Sequence, residues 1–235
     1  MASIVEDLRI TFGLRENHAN EINEWIHFAM FKNVKRLKLD FSSLLGYDCY
    51  SYYTFHELFL QLLCNISGFD SLISLSLNTV VVTDDTVTRI LSNCPLLETL
   101  ALKNTRSLWS LVVNGPPLKL KHLKIKHCFQ LAVVEILAEN LVSFKYLGSL
   151  IDISFGNVPL LSEVLIGGDY VKYWVNQLDQ LSYDLSQLHT LTLNQNYMVS
   201  SSHAMLSLDN PSFFYGESLK AFLLFLAMFL GNVSC

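Results

Sequence analysis

The chain is 235 residues long, 51% of them apolar and 16% charged, enough apolar surface for a large core and too little charge for a disordered chain. A formal net charge of −5 gives no electrostatic reason to expect nucleic-acid binding. The five cysteines, Cys49, Cys64, Cys94, Cys128 and Cys235, form no C-x-x-C pair and are odd in number; they point to neither a disulfide framework nor a zinc module, and favour buried free thiols in a reducing compartment.

The first residues, "MASIVEDLRI", lack the basic and apolar regions of a signal peptide, so a cytoplasmic or nuclear location is expected. Within them "VEDLRI" (5–10) reads as a short strand. "NHANEINEWIHFAMFKNV" (17–34) follows, with Ile22, Trp25, Ile26 and Met30 on one helical face. Next come "VKRLKL" (34–39), a tyrosine-rich stretch at 46–59, and "LISLSL" (72–77). "VTDDTVTRILSNCP" (82–95) predicts a helix with Thr83 or Asp84 as N-cap, Val87, Ile90 and Leu91 as its apolar stripe, and Pro95 as its stop. "LETLAL" (97–102) and "LKHLKI" (120–125) are two further strands, continued more loosely by "LVSFKY" (141–146), "LSEVLI" (161–166) and "LHTLTL" (188–193). The returns after residue 125 are short and predict loops or 3₁₀ segments. Residues 197–235 are irregular, with "LKAFLL" (219–224) as a possible degenerate ninth repeat. The apolar run "FLLFLAMFL" (222–230) is shorter than the about 18 to 20 residues of a membrane span, so it predicts a buried terminal element and no membrane contact.

These strands share one spacing, L-x-x-L-x-L. Their central residues, Leu8, Leu37, Leu75, Leu100, Leu123, Phe144, Val164 and Leu191, follow one another at intervals of 20 to 38 residues, most of them in or near the leucine-rich-repeat range of roughly 20 to 29. The longest interval contains the tyrosine-rich stretch, which reads as an enlarged convex segment. In each repeat two apolar residues of an alternating strand point inward, and the leucine three positions earlier closes the turn into the strand. One repeat cannot bury its apolar face, whereas a stack makes a continuous core. The expected fold is therefore an α/β leucine-rich-repeat solenoid (a horseshoe) of about eight repeats over residues 1–196, with a parallel concave sheet and helices or loops on the convex side. Polar end caps are not evident, which predicts aggregation or dependence on a partner. Cys128 and Asn196 fall three residues after a strand's last core position, where a side chain can bond the loop backbone.

Sequence patterns for chemistry are nearly absent. There is no G-x-G-x-x-G, P-loop, G-x-S-x-G or H-E-x-x-H, and His56-Glu57 lacks the second histidine. His127 and Cys128 are strand neighbours expected on opposite faces. Asp84-Asp85 reads as helix capping, Gly167-Gly168-Asp169 as a turn, and Trp25 and Trp174 as packing residues, with Trp109 less clearly so. The chain is expected to be no enzyme and to need no cofactor or metal.

What remains is the concave face. Its outward positions are Asp7, Arg9, Thr11, Arg36, Lys38, Asp40, Ser74, Ser76, Asn78, Thr99, Ala101, Lys103, His122, Lys124, Lys126, Ser143, Lys145, Leu147, Glu163, Leu165, Gly167, Thr190, Thr192 and Asn194. Seven are basic and three acidic, on a chain that is acidic as a whole. Arg36, Lys38, Lys103, His122, Lys124, Lys126 and Lys145 are the candidate partner-binding residues. They suit an acidic or phosphorylated peptide or a small polyanion; a solvated strand face is the plain structural alternative.

"VTDDTVTRILSNCPLLETLAL" (82–102), "INEWIHFAMFKNVKRLKLDF" (22–41) and "LKHLKIKHC" (120–128) resemble the repeat region of plant F-box proteins with leucine-rich repeats, a likeness running over residues 4–196. In that family an F-box binds a Skp-type adaptor of a cullin-based ubiquitin ligase and the repeats select the protein to be ubiquitinated. The resemblance implies a non-catalytic substrate receptor. A leucine- and proline-rich F-box should precede the repeats, but here a repeat strand begins at Val5. Adaptor binding is therefore expected only if an F-box is supplied from outside this chain.

Overall fold

The structure, a computed structural model, describes residues 5–42, 52–55, 69–115, 118–168 and 188–194, and the backbone of 205–208. Eight short strands recur at the predicted positions: β1 (Asp7–Thr11), β2 (Arg36–Asp40), β3 (Ser74–Asn78), β4 (Thr99–Lys103), β6 (His122–Lys126), β8 (Ser143–Leu147), β10 (Glu163–Gly167) and β11 (Thr190–Asn194). They pair in that order, all parallel, and a strand at Met205–Leu208 (β12) adds to β11 antiparallel.

Register follows the leucine repeat. Leu8, Leu37, Leu75, Leu100, Leu123, Phe144, Val164 and Leu191 stand opposite one another from strand to strand. From Leu37 onward this row is buried, as is the row two positions later from Ile10 to Leu193. A slip of one residue would turn both rows to solvent, so burial itself specifies the register. Leu72, Leu97, Leu120, Leu141, Leu161 and Leu188 are also buried, closing the turn into each strand as the spacing requires.

The convex side changes character along the chain. Its first part carries α1 (Ala19–Phe31), entered through a 3₁₀ turn at Glu16–His18, and α2 (Asp84–Asn93). Thr83 caps α2, its hydroxyl accepting from the Thr86 amide at 3.2 Å. Helix α1 buries Ile22, Ile26, Ala29 and Met30. Trp25, expected to pack, is instead exposed, because residues 22, 26, 29 and 30 complete the stripe and leave position 25 on its flank. Tyr53 lies buried beside α1 and donates to Asn23 Oδ1 at 2.6 Å, while the Thr54 amide donates to Glu16 Oε2 at 2.9 Å.

Two returns after residue 125, expected as loops or 3₁₀ segments, are extended strands instead, and they pair on from a strand in the return before them. β5 (Ser110–Val113), β7 (Val133–Ile136) and β9 (Asp152–Phe155) form a second parallel sheet. The physical reason is room: repeats this short cannot hold a helix, and an extended return still buries alternate residues, here Leu111 and Val113, then Val134 and Ile136. Phe155 meets Phe144 of the concave sheet edge to face, centroids 5.5 Å apart at 83°, so the two sheets share one core.

Strand exits have a common geometry. Thr79, Asn104, His127 and Gly168 each follow the last strand residue with φ of 60°, 50°, 53° and 86°. A Cβ on Gly168 would overlap the Gly148 carbonyl oxygen, so glycine is required there by both space and φ. Trp174, Asp169, Asn196, Cys49, Cys64 and Cys235, most of the 46–59 stretch, and the runs at 219–224 and 222–230 lie outside the described residues.

Candidate functional site

The outward side chains of the concave sheet form three rows across the strands. The first runs Asp7, Arg36, Ser74, Thr99, His122, Ser143, Glu163, Thr190; the second Arg9, Lys38, Ser76, Ala101, Lys124, Lys145, Leu165, Thr192. The third runs Thr11, Asp40, Asn78, Lys103, Lys126, Leu147, Gly167, Asn194. All seven candidate partner-binding residues stand on this one sheet, on strands β2, β4, β6 and β8.

Their electrostatic situations differ. The Arg36 guanidinium forks onto Asp7, with Nε to Oδ1 the tighter bond, and lies 3.6 Å from Glu6. The hydrogen bond from Arg36 and its charge hold the Asp7 carboxyl below its usual range. Lys38 Nζ lies 3.4 Å from Asp40. Burial works against the Asp40 charge, but hydrogen bonds from Ser42, Lys38 and Asn78 outweigh it and keep the carboxyl below the ordinary value. Lys145 reaches Glu163 only at 3.9 Å. The basic character at β2 is thus largely neutralised in place.

Lys103, Lys124 and Lys126 have no ion pair among the described residues. Lys103 stands opposite Lys126, and Lys124 opposite Lys145, on strands about 4.8 Å apart. Like charges this close repel, and a bound anion relieves the repulsion. His127 senses the same field: burial, then the charges of Lys103 and Lys126, lower it from its ordinary 6.5 and so favour the neutral ring. His127 also stacks on Phe129, centroids 6.3 Å apart at 28°.

The exit side of this sheet is braced by polar side chains. Asn78 Nδ2 donates to Asp40 Oδ1 at 2.7 Å, and Asn104 Nδ2 donates to Asn78 Oδ1 at 3.0 Å. Buried Thr105 donates to the Val80 carbonyl at 2.8 Å and accepts from the Val82 amide at 3.2 Å. Cys128, at the equivalent place one turn on, points its thiol at the carbonyls of Leu102 (3.9 Å) and Lys126 (3.6 Å). Thr105 was not singled out by sequence reasoning, although it too falls three residues after a core leucine, Leu102.

Other candidates resolve into structural roles. Asp84 does not cap α2; its carboxylate accepts the amides of Trp109 (2.8 Å) and Ser110 (3.1 Å) at the start of β5. Asp85 pairs with Arg89 at 2.7 Å. Burial pushes the Cys94 thiol up to about 12 and the Cys128 thiol up to about 11, so neither is a nucleophile at neutral pH. Among the described residues, no three His, Cys, Asp or Glu side chains cluster as metal ligands. No described helix is long and apolar enough to cross a membrane. At the edge where the chain enters the strands, a cleft of about 690 Å³ is lined in part by Glu98, Lys121, Glu139 and Asn157. Lys121 pairs there with Glu98 at 2.7 Å and Asn157 with Glu139 at 2.8 Å, which leaves these groups satisfied by one another.

Comparison with known proteins accords with this architecture. The leucine-rich-repeat domain family described as At1g61320/AtMIF1, LRR domain, matches residues 4–208. A curated Arabidopsis thaliana protein, "Putative F-box/LRR-repeat protein At3g28410", is 28% identical over 114 residues. That alignment covers 43% of this chain and 24% of the relative, so the chain spans about a quarter of the relative's length.

Proposed function

The chain belongs to the leucine-rich-repeat domain family of At1g61320/AtMIF1, and from that premise we propose that it is a non-catalytic protein-binding module whose concave lysines hold an acidic segment of a partner. In an F-box subunit of a cullin-based ubiquitin ligase this is the part that selects the substrate protein, and the similarity to an F-box/LRR-repeat protein supports that role. A Skp-type adaptor would join through an F-box, in the cytoplasm or nucleus. The observation that carries the reading is the group of Lys103, Lys124 and Lys126 on neighbouring strands without an ion pair among the described residues. An unneutralised cluster on a chain of net charge −5 makes a local site for carboxylates or phosphates.

The test is binding of a fluorescent poly-glutamate peptide to the wild-type chain and to Lys124→Glu with Lys126→Glu. Loss of about tenfold or more in affinity is expected, since two attractive charges become repulsive. Unchanged affinity would sink the reading. A small polyanion on the same three lysines is the second reading. A rise in melting temperature with inositol hexakisphosphate, and none with poly-glutamate, favours it.

A further inference from the structure

Beside the lysines, on the edge where the chain leaves the strands, the surface becomes apolar. Trp109, Phe129 and Leu150 are 59%, 59% and 54% exposed on three successive turns. They wall a groove of about 530 Å³ floored by buried Leu131 and Ile151. Scattered exposed apolar residues are ordinary, but a contiguous patch containing tryptophan marks an interaction surface.

The backbone beneath this patch is pinned. Asp84 holds the Trp109 amide, and the Trp109 carbonyl accepts from Ala132 and Val133 at 2.8 and 3.3 Å. The Ala132 carbonyl in turn accepts from Asp152 at 2.9 Å, and Gln130 Oε1 accepts the Ser107 amide at 2.6 Å. Trp109 is thus displayed on a backbone fixed at both ends of its peptide, which spares a partner the ordering cost of a mobile loop.

Charge decides the occupant. One rim of the groove joins the basic row: Phe129 is three residues from Lys126, and the His127 ring on which it stacks feels Lys103 and Lys126. The far rim carries the exposed acid Asp152. We propose that the groove takes a bulky aromatic or aliphatic side chain of an acidic partner segment, whose carboxylates lie on Lys103 and Lys126 while its anchor crosses the strand-exit edge to Trp109, Phe129 and Leu150. This deepens the proposed function and rests on its reading of the concave lysines. The orientation is fixed: acidic residues toward the sheet, apolar anchor toward β5 and β7, and no acid beside Asp152.

The test selects short random peptides on the full 235-residue chain and measures the enriched ones by fluorescence anisotropy. Enriched peptides should combine an acidic cluster with a nearby Trp, Phe or Leu. Trp109→Ser with Phe129→Ser should weaken them by about thirtyfold, the loss of a hot-spot anchor, with the melting temperature retained because both rings are exposed. Lys103→Glu with Lys126→Glu should weaken them too. Peptides that keep their affinity for the Trp109/Phe129 variant overturn the groove; if they still respond to Lys124→Glu with Lys126→Glu, the concave reading survives alone. Indifference to both variants overturns both. Failure to enrich any peptide, or a dimer of the unliganded chain that the Trp109/Phe129 variant dissolves, also overturns the proposal, the dimer by making a second copy the occupant.

Discussion

Thr105 is a single buried hydroxyl that ties two turns together, donating to Val80 and accepting from Val82. Thr105→Val keeps the shape and removes both bonds, leaving a buried carbonyl and amide without this partner. Urea unfolding should register a loss of about 2 kcal/mol, the scale of a buried unsatisfied polar pair; a change near zero would mean water or a shifted backbone replaces the hydroxyl. The comparison with Cys128 is instructive, because the thiol at the same structural place reaches its carbonyls only at 3.6 and 3.9 Å. The position asks for a donor, and the sequence satisfies it with different chemistry in consecutive repeats. That is why Cys128 was legible as a loop-bonding residue while Thr105, a commonplace surface residue in most contexts, was not.

Among the elements, the strand exit after β6 is the natural reporter of binding. His127 is held below 6.5 by burial and by Lys103 and Lys126. Docked carboxylates offset the lysine charge, so the His127 midpoint should move up when poly-glutamate binds. NMR titration of the imidazole carbons checks this, and an unmoved midpoint in a saturated complex would place the peptide elsewhere. In the free protein the lowered midpoint means that folding favours the neutral ring: this contribution to stability is complete above pH 6.5 and is lost as pH falls through the folded-state value. The concave strands were legible because a period of two is locked to a repeated leucine spacing over eight copies. The convex strands were not, since "SLVV", "VVEI" and "DISF" are four residues each, too short for alternation to distinguish them from a loop. The groove was hidden for a related reason. Trp109 lies six residues after the last residue of β4, whereas Phe129 and Leu150 lie three after theirs, so only the folded loops bring them into line.

At the scale of the whole molecule, each turn of the stack touches chiefly its neighbours, and stability is a sum of local terms. Phe144 sits in the middle of the described stack, fully buried and in contact with Phe155 of the convex sheet. Phe144→Ala should cost about 3–5 kcal/mol, and hydrogen exchange should quicken in β6, β8 and β10 while β1 and β2 keep their protection. Uniform acceleration along the chain would instead indicate one cooperative unit. The same neighbour-to-neighbour construction bears on how such a surface acquires a new specificity. Each of the three outward rows has a site on every parallel strand, and backbone hydrogen bonds set the spacing of the sites, so an exposed occupant such as Lys103 or Lys124 adds nothing to it, unlike the bracing pair Asn78 and Asp40. Exchanging such an exposed residue therefore rewrites one character on a fixed grid and leaves the grid intact. A lineage carrying this scaffold can search for partners one substitution at a time, without reopening the problem of how to fold.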